Sequence, residues 1–558
     1  MGVEVLEQLV EIAPPAGPVV LCILDGIGWG LRDGGDAVHL ANKPTLQRLW
    51  AEHPTVMLKA HGTAVGLPSD ADMGNSEVGH NALGAGRVFE QGAALVQQAM
   101  ASGAIGRSDT WRWLTESLQQ GGTLHLCGLL SDGNVHSHID HVLGLVRLAQ
   151  QSGVKRLRVH ALADGRDVAD PSFDQYVVQL QAVLDEVTAV GCDAAIASGG
   201  GRMAVTMDRY DADWPMVERG WALHVHGDGP QFSSVTEALA ALRQLPDGKS
   251  DQTLGGFVIG RGGQPVGTVH DGDSFVFWNF RGDRAIEISR AFEEGPEFKQ
   301  FDRGRCPKVR YAGMMQYDGD LHLPARFLVV PPAIDRTLGE FLAALGKRSF
   351  AVSETQKYGH VTYFWNGNRS GVLAPKFEQY TEVPSDRIAF DRAPNMQAKA
   401  IADQVLMAME VAPRYDFIRC NFANGDMVGH TGNLPATITA VAAVDRELGR
   451  VADKVAQLGG ILVVTADHGN ADDMWMRDKK NAPLHNADGS IQAKTSHTLN
   501  PVPLTIVDSR PHAPWQLRTV PNAGLANVAA TLLALLGYQA PHDYAAALVE
   551  PASLSPAA

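Results

Sequence analysis

Aspartate and histidine residues recur in this sequence at spacings that suit metal binding. The motif NGDMVGH places Asp426 and His430 four residues apart, so a helix would put both on one face, and a loop could still bring them together. Mixed carboxylate and imidazole ligands suit Mn²⁺, Zn²⁺ or Fe²⁺, and suit Ca²⁺ less well. Each motif alone could equally be a helix cap or a turn. Together they predict a site for two metal ions, with the candidates Asp25, Asp426, His430, Asp467, His468 and His497.

The segment GNSEVGHNALGAGR adds a candidate nucleophile, Ser76. A serine hydroxyl is a weak nucleophile by itself, and coordination to a metal activates it. Two neighbouring metal ions can hold the attacking and leaving oxygens of a phosphoryl transfer. Alternatively, Ser76 caps a helix that carries Glu77 in its first turn. Both roles can hold together, because a helix N-terminus also stabilises an incoming phosphate.

Short apolar runs alternate with amphipathic stretches, which predicts an α/β fold with a largely parallel sheet. Strands are expected at 18–25, 55–60, 122–130, 156–164, 192–198, 274–280, 415–422 and 460–467. In such sheets, chemistry gathers at the carboxyl ends of the strands. Polar residues follow several of these strands, namely Asp25, Asp164, Arg166, Asp167, Arg281, Arg284, Asp467 and His468.

Length and composition limit the class of protein. A chain of 558 residues predicts two or more domains, and a net charge of −15 argues against a surface that binds nucleic acid throughout. The cysteines lie far apart without a CxxC motif, so we expect them to be buried and reduced, as in a cytoplasmic protein. The N-terminal stretch lacks the basic region of a signal peptide, and no apolar run is long enough for a membrane span.

Several long motifs occur in an order that resembles one family. GNSEVGH, SDGNVHSH, ADGRDV, FRGDRAIE, NFANGDMVGHTG, TADHGN and SHTLNPVP closely resemble the cofactor-independent phosphoglycerate mutases of the alkaline-phosphatase-like superfamily. The resemblance runs from about residue 18 to about residue 540, and GGGRMAVTMDRY looks most like the plant-type branch. It implies a phosphatase-like α/β/α metal-binding domain at 1–90 and 323–558, with an inserted α/β transferase domain at 91–322.

The resemblance also implies an activity and its cofactors. Family members interconvert 3-phosphoglycerate and 2-phosphoglycerate in glycolysis and gluconeogenesis through a phosphoserine, without 2,3-bisphosphoglycerate. Ser76 matches the serine that becomes phosphorylated. Two divalent ions are implied, Mn²⁺ first and Mg²⁺, Co²⁺ or Zn²⁺ as alternatives. One site matches Asp426, His430 and His497, and the other matches Asp25, Ser76, Asp467 and His468.

The substrate residues are implied by the same resemblance. Lys357 matches a lysine near the serine and the phosphate, although without the resemblance we would interpret it as a surface lysine. Asp167 resembles the general acid and base for the glycerate hydroxyl, with His136 as the alternative. MAVTMD separates two of the arginines, where many bacterial members have a shorter spacer with a tyrosine. The matched substrate contacts are His136, Arg166, Asp167, Arg202, Arg209, Arg281, Arg284 and Lys357.

Two other functions share some of these features. A metal-dependent phosphomonoesterase or phosphodiesterase would use the same metal ligands, but would not need an arginine-rich insert or a site closed to water. A non-catalytic nucleotide-binding or metal-binding protein is suggested by IASGGGRMAV, which however lacks the GxGxxG and GxxxxGK[ST] spacings. We therefore expect a monomeric mutase that binds a small phosphorylated substrate, and neither nucleic acid nor a membrane.

Overall fold

The chain forms two compact units. The computed structural model describes residues 3–67, 69–90, 92–118, 121–209, 213–317, 322–330, 334–486, 488–510 and 512–552. Both chain ends build one unit, Met1–Gln91 with Ala333–Ala558, which we call the terminal unit. The segment between them, Gly92–Pro332, forms the second, which we call the inserted unit.

The strands fall largely where continuous apolar runs predict them, and further strands lie between. In chain order they are β1 (Val19–Leu24), β2 (Thr55–Leu58), β3 (Leu124–Leu129), β4 (Arg156–Ala163), β5 (Asp193–Gly201), β6 (Gln231–Phe232), β7 (Phe257–Arg261), β8 (Gln264–Pro265), β9 (Ser274–Phe277), β10 (Arg310–Gly313), β11 (Ser349–Glu354), β12 (Glu378–Val383), β13 (Phe417–Phe422), β14 (Ile461–Thr465), β15 (Val502–Asp508), β16 (Trp515–Leu517) and β17 (Val549–Pro551).

Helices, one or more at a time, separate most of the consecutive strands. They are α1 (Ala37–Leu40), α2 (Pro44–Glu52), α3 (Ser76–Ala85), α4 (Gly92–Ala101), α5 (Ala104–Arg107), α6 (Asp109–Leu118), α7 (Ile139–Gln151), α8 (Phe173–Ala189), α9 (Trp214–Trp221), α10 (Val235–Leu242), α11 (Ile286–Glu293), α12 (Leu338–Ala344), α13 (Thr355–Gly359), α14 (Ala398–Glu410), α15 (Asn424–Gly429), α16 (Leu434–Gln457) and α17 (Asn527–Leu535). Single π-helical turns follow α9 at Ala222–His226 and α13 at His360–Phe364.

The main sheet of the terminal unit has the order β12-β11-β13-β1-β14-β15-β2. Strands β12, β11, β13, β1 and β14 run parallel, whereas β15 and β2 run antiparallel to their neighbours. The residues of β1, β13 and β14 are buried throughout, as expected for strands with helices on both faces. The parallel run brings the carboxyl ends of β11, β13, β1 and β14 side by side.

The sheet of the inserted unit has the order β10-β9-β3-β4-β5-β7-β6, with β8 paired to β7. Strands β10, β9, β3, β4 and β5 are parallel neighbours, so their carboxyl ends also share one edge. Alternate side chains enter different cores: Phe275 and Phe277 of β9 join one cluster and Val276 joins the other. Both units therefore confirm the α/β class.

The division between the units differs from the expectation at its second boundary, which lies after Pro332 rather than after residue 322. The reason is local pairing. The amide of Leu328 donates to the Gly313 carbonyl across 3.1 Å, and that of Val329 donates to the Met314 carbonyl across 2.9 Å. Both side chains also join an apolar core of the inserted unit. The segment after residue 322 therefore extends the edge of the inserted sheet.

Cysteine burial agrees with the expectation except at one position. Cys22, Cys127, Cys192 and Cys420 are buried, whereas Cys306 is exposed, which corrects the expectation for that residue. Cys306 follows a polar turn, DRGR, rather than an apolar strand, so no core forms around it. Among the helices that the structure describes, none has the length and apolar character needed to cross a membrane.

Candidate active site

The carboxyl edge of the terminal sheet collects the predicted metal ligands. Asp25 directly follows β1, and Asp467 and His468 follow β14 within two and three residues of its end. After β13 the chain forms the short helix α15, which contains Asp426 and ends at the cap His430. Asp426 and His430 therefore lie on one helical segment, which is the first of the two conformations that their spacing allowed. His497 reaches the same edge from the loop before β15.

Ser76 is the first residue of α3 and is not its cap. The side chain of Asn75 is the cap, because its Oδ1 atom accepts from the amides of Glu77 and Val78 at 3.0 and 3.2 Å. This corrects the capping alternative for Ser76, since an Asn one residue earlier already satisfies those amides. The Ser76 side chain is therefore available for another role, and Glu77 lies in the first turn as expected.

The hydroxyl of Ser76 lies among charged and metal-ligand-type groups. Its Oγ atom is 2.9 Å from His468 Nε2, and 3.3 and 3.4 Å from the two carboxylate oxygens of Asp25. The ammonium of Lys357 also donates to it in a short contact. Lys357 is only 2% exposed, which excludes a surface lysine. This serine is thus held in a buried polar cluster at the sheet edge.

Asp426, His430 and His497 converge closely. Asp426 Oδ1 lies 3.0 Å from His430 Nε2 and 3.1 Å from His497 Nε2, and the two Nε2 atoms are 3.0 Å apart. Each ring donates through Nδ1 to a backbone carbonyl, His430 to Thr495 at 2.6 Å and His497 to Gly74 at 2.7 Å. A neutral ring with Nδ1 protonated carries its lone pair at Nε2, which is the form that ligates metals. These residues therefore fit a divalent cation.

Asp25, Asp467 and His468 form the second group. Their ligand-type atoms lie within 4.8 Å of one another, as do those of Asp426, His468 and His497. Both carboxylate oxygens of Asp467 are buried, and within the described residues neither accepts a hydrogen bond. An ionised carboxylate in that state is costly unless a cation compensates it. The donor set and this carboxylate both fit a second metal ion.

The acidic groups and Lys357 alter one another's pKa values. Burial, with the neighbouring Asp467 carboxylate, raises the pKa of Asp25 to about 7. Burial would also raise the pKa of Asp426, but His430 and Lys357 lower it well below its usual range. For Lys357, burial lowers the pKa and the nearby Asp25 and Asp426 raise it more, with a net upward shift. The lysine is therefore a cation, although the three buried aspartates still carry more charge than it neutralises.

Three supporting side chains were not predicted from the sequence. Asn421 donates to Asp25 Oδ2 across 2.8 Å, and Asn470 donates to Asp426 Oδ1 across 2.9 Å. His80 Nδ1 donates to the Ser76 carbonyl at 2.7 Å and lies 3.3 Å from Asp467 Oδ2. Asn421 belongs to NFANGDMVGHTG, Asn470 to TADHGN and His80 to GNSEVGH, so the signal was a polar residue in the same motif as a candidate ligand or nucleophile.

The inserted unit gathers the predicted substrate residues at the carboxyl edge of its own sheet. His136 lies in the loop after β3, Arg166 and Asp167 follow β4, and Arg202 follows β5. Arg281 and Arg284 follow β9, and Arg209 lies beyond the turn after β5. All of these side chains are buried. Since β9, β3, β4 and β5 are adjacent parallel strands, the residues that follow them meet at one edge. We call this set the arginine cluster.

Two aspartates organise the arginine cluster. Asp164 accepts from Arg202 Nη1 across 2.8 Å and from the amides of Arg166 and Asp167 at 3.1 and 3.0 Å. Arg202 also pairs closely with the Asp167 carboxylate. On the other side, Asp283 lies 3.2 Å from Arg281 Nε, 3.5 Å from Arg209 Nη1 and 3.5 Å from His136 Nδ1. Asp283, inside FRGDR, was missed because its own motif directed attention to the flanking arginines.

The arginine cluster has an excess of positive charge. Burial, together with Arg209, Arg202 and Arg166, lowers the pKa of Arg284 well below its usual range. Because a guanidinium in a protein stays protonated, this shift reflects burial of the Arg284 cation among other cations rather than a neutral side chain. Burial and the surrounding arginines likewise lower the pKa of His136, which is therefore neutral. Such a site favours an anion with several oxygens, because guanidinium binds phosphate and carboxylate bidentately.

Comparison with known proteins first defines the class. Residues 17–540 match the pattern of the Metalloenzyme superfamily, which covers most of the chain. This agrees with an α/β fold that presents two groups of aspartate and histidine at a sheet edge. The fold and the ligand sets together define a metalloenzyme.

Individual relatives then narrow the class. The 2,3-bisphosphoglycerate-independent phosphoglycerate mutase of Trypanosoma brucei brucei is 54% identical over 540 residues, 96% of this chain and 98% of that protein. The Zea mays enzyme of the same name is 51% identical and covers 96% of each chain. A crystal structure of Leishmania mexicana phosphoglycerate mutase at low cobalt concentration aligns with a TM-score of 0.95 at 50% identity, over 98% of this chain and 100% of that one. The chain belongs to the 2,3-bisphosphoglycerate-independent phosphoglycerate mutases, and it is an isomerase.

Proposed function

We propose that mutase activity proceeds through a phosphorylated Ser76. Its Oγ atom attacks the phosphorus of the substrate, the bond between phosphorus and the glycerate oxygen breaks, and the phosphoryl group moves to the serine. The other glycerate hydroxyl then attacks the phosphoserine and releases Ser76. The observation that carries this proposal is the position of Ser76 Oγ, 2.9 Å from His468 and beside Lys357 at the start of α3. Helix N-termini and cations both stabilise a phosphate.

We propose two divalent metal ions, with Mn²⁺ first and Mg²⁺, Co²⁺ or Zn²⁺ as alternatives. Asp426, His430 and His497 would hold one ion. Asp25, Ser76, Asp467 and His468 would hold the other. When bound, such ions lower the pKa of a coordinated hydroxyl and neutralise charge on a transferring phosphoryl group. The mixed oxygen and nitrogen donors support metals of the Mn²⁺ and Zn²⁺ type.

Lys357 has a distinct role in this proposal. Its ammonium contacts Ser76 Oγ and lies 2.9 Å from Asp25 Oδ2 and 2.8 Å from Asp426 Oδ2. A buried cation at that place favours the ionised serine and offsets negative charge on the phosphoryl oxygens. The two aspartates hold the lysine in position through its donor hydrogens.

The arginine cluster would bind the carboxylate and phosphate of the glycerate. Its members with this role are His136, Arg166, Arg202, Arg209, Arg281 and Arg284, and we propose that Lys357 binds the phosphate as well. Asp167 would give a proton to the glycerate oxygen that leaves in the first transfer and take one from the hydroxyl that attacks in the second, with His136 as the alternative. In this proposal the terminal unit is the phosphatase-like catalytic domain and the inserted unit is the transferase domain.

The setting of the reaction is proposed on more general grounds. We propose a cytoplasmic monomer that acts in glycolysis and gluconeogenesis and does not require 2,3-bisphosphoglycerate. The buried cysteines support a reducing compartment. The names of the relatives support a small phosphorylated substrate. The hydrolase alternative shares the metal ligands, but those relatives are mutases and the buried arginine cluster suits retention of the glycerate.

The decisive experiment traps the phosphorylated protein. The enzyme is mixed with 3-phosphoglycerate labelled in its phosphate, quenched in acid within milliseconds and digested, and the labelled peptide is sequenced. We expect the label on Ser76, and none on the Ser76→Ala variant. Label on another residue, or on no residue at any quench time, would contradict the phosphoserine route. Rapid release of inorganic phosphate would favour the hydrolase.

A further inference from the structure

A turn with unusual backbone geometry lies between two arginines of the arginine cluster. Thr206 has a φ of +70°, a left-handed conformation that is rare for a β-branched residue. The amide of Met207 donates to the Val205 carbonyl across 2.8 Å, so residues 205–207 form a three-residue γ-turn. The γ-turn with positive φ at its centre is strained and rare. The surrounding contacts must therefore stabilise this conformation.

The turn directs a carbonyl at one of the arginines. Arg284 Nη1 donates to the Met207 carbonyl across 2.6 Å, and both residues are buried. Because Met207 directly follows Thr206 and its amide closes the turn, the backbone angles at Thr206 and Met207 together set the direction of that carbonyl. A charge-assisted hydrogen bond of this length restricts the guanidinium to one orientation. The geometry of the turn thus determines where Arg284 lies in the arginine cluster.

A chain of hydrogen bonds between buried side chains runs from Thr206 to Asp273. Its Oγ1 atom lies 2.8 Å from His224 Nε2, and His224 Nδ1 lies 2.7 Å from Ser198 Oγ. The chain continues from Ser198 Oγ to His160 Nδ1 at 2.7 Å, from His160 Nε2 to His125 Nδ1 at 3.0 Å, and from His125 Nε2 to Asp273 Oδ2 at 3.3 Å. These contacts cross β3, β4 and β5 of the inserted sheet and end on the π-helical turn that carries His224.

The acceptor at one end sets the direction of every hydrogen bond in this chain. Burial lowers the pKa of His125, His160 and His224, the last to about 3, so each ring is neutral with one donor and one acceptor nitrogen. Asp273 also accepts two backbone amides, from Thr123 and His270, both at 2.7 Å, so it acts as a carboxylate acceptor. His125 must then donate to it, and each following group donates to the one before. At the far end, the Thr206 hydroxyl must donate to His224.

Two further contacts fit Thr206 to its place. Its amide donates to the Met216 carbonyl at 2.9 Å. Gly220 packs directly against it, because a Cβ atom at Gly220 would lie 2.1 Å from Thr206 Oγ1. The conformation is thus determined by backbone, side-chain and steric contacts together, as expected for a strained residue at a functional site.

We propose that Thr206 and His224 are positioning residues for the mutase reaction, which hold the γ-turn so that the Met207 carbonyl fixes Arg284 for substrate binding. This inference rests on the proposed role of Arg284 in binding the substrate anion. Neither residue needs to touch the substrate. The hydroxyl of Thr206 is the necessary group, so a residue of the same shape without a donor cannot replace it.

The test compares steady-state kinetics for 3-phosphoglycerate in a coupled assay without bisphosphoglycerate. For Thr206→Val we expect KM to rise about ten-fold with kcat within about three-fold of the unchanged enzyme, because one fixed guanidinium contact loosens. Thr206→Ser, which keeps the donor, should retain a KM near the original. Thr115→Val is the matched control: its hydroxyl donates to the Trp111 carbonyl within α6 at 3.0 Å, away from the cluster.

Further variants keep the inference testable if Thr206→Val folds poorly. Thr206→Gly accepts positive φ freely and lacks the hydroxyl, so it should fold and still show the higher KM. In the double variant Thr206→Val/His224→Phe, KM should rise no further than in Thr206→Val alone, because both substitutions remove the same hydrogen bond between Thr206 and His224. An unchanged KM in Thr206→Val or Thr206→Gly, or an equal loss in Thr206→Ser, overturns the inference.

Arg284→Lys separates this inference from the proposed binding role. If Arg284→Lys raises KM and Thr206→Val does not, the positioning role is wrong and the binding role stands. If Arg284→Lys leaves KM unchanged, the binding role of Arg284 is wrong and the positioning role is overturned with it. A rise in both variants, with Thr206→Ser close to the original, supports the inference.

Discussion

Lys357 donates from its ammonium nitrogen to Asp426 Oδ2 across 2.8 Å, in the interior of the terminal unit. The other oxygen of the same carboxylate, Oδ1, faces the Nε2 atoms of His430 and His497. One carboxylate therefore links the proposed metal ligands to the cation beside Ser76. A change at the proposed metal ligands should therefore alter the position of Lys357, and a change at Lys357 should alter the metal ligands. The first three predictions depend on this connection.

Replacement of Ser76 by alanine should abolish mutase activity. Without the hydroxyl no phosphoserine can form, and we expect kcat to fall by about 10⁴-fold or more. The measurement is the coupled assay with 3-phosphoglycerate, with circular dichroism and thermal unfolding to show that the fold is intact. Ser349→Ala is the control, because Ser349 is also buried in the terminal unit but lies at the start of β11, at the opposite edge of the sheet. Normal turnover by Ser76→Ala would refute the phosphoserine route.

Replacement of Lys357 by methionine should lower kcat by about 10²-fold to 10³-fold, as for other groups that stabilise charge in a transition state. Methionine has a similar length without the charge, so the Asp25 and Asp426 carboxylates lose their shared cation. Lys347→Met is the matched control. The Lys347 ammonium lies 3.1 Å from an Asp416 oxygen and is not near the proposed metal ligands, so this variant should keep full activity. If Lys357→Met retained its kcat, Lys357 would have no part in the chemistry.

Removal of metal should inactivate the protein and destabilise the terminal unit. Without metal, the buried carboxylates Asp25, Asp426 and Asp467 repel one another, because Lys357 alone neutralises only part of their charge. At a free metal concentration of 100 times Kd, each bound ion stabilises the folded state by about 2.7 kcal/mol. The measurements are elemental analysis of the purified protein, the unfolding midpoint with and without chelator, and activity after Mn²⁺ is added back. Full activity in demonstrably metal-free protein would exclude the proposed metal sites.

Asp167→Asn tests the general acid and base. The amide can neither take nor give a proton, so we expect kcat to fall by about 10²-fold or more, and label from 3-phosphoglycerate should reach Ser76 more slowly but at the same residue. His136→Phe in the same assay examines the alternative residue. Asp185→Asn, on α8 and hydrogen-bonded to Gln181, is the control. If only His136→Phe lowered kcat, the proton-transfer role would pass to His136.

Glu293 should make the inserted unit less stable as the pH rises. Burial raises the pKa of Glu293 to about 7 from 4.5, even though its carboxylate accepts from the Ala325 amide at 3.0 Å. Between these two pH values the folded state binds more protons than the unfolded state, so the free energy of unfolding falls with increasing pH. Below pH 4.5 both states are protonated and no penalty remains.

Glu293→Gln removes this pH dependence while retaining an acceptor for Ala325. We expect the variant to be more stable than the unchanged protein at pH 8 by about 1–2 kcal/mol, a value reduced for the partial exposure of the side chain, and nearly equal to it at pH 4.5. The measurement is the unfolding midpoint of both proteins across this pH range. Glu294→Gln is the neighbouring control, with a carboxylate paired to Arg290. Equal midpoints at pH 8 would show that Glu293 carries no such penalty.

Much of the local structure followed from the sequence because local patterns encode it. Continuous apolar runs predicted β1, β3, β4, β13 and β14, since strands covered on both faces carry few polar residues. The second boundary between the units was placed too early, because the pairing of Leu328 with Gly313 depends on a strand that the sequence did not reveal as a neighbour. The sequence left the role of Ser76 as a cap open for a similar reason: Asn75 and Ser76 are both good caps, and only the backbone angles separate them.

The sequence by itself determined the chemical types and the order of the candidate groups, because aspartate, histidine, serine and arginine occur in continuous motifs that can be read directly from it. Only the tertiary structure decided which of them meet. Asp426 and Lys357 are far apart along the chain and touch because β11 and β13 are adjacent parallel strands. The same holds for Thr206, whose role depends on histidines from other elements of the sheet. Contacts of this kind arise from packing between distant segments, for which no local spacing rule exists.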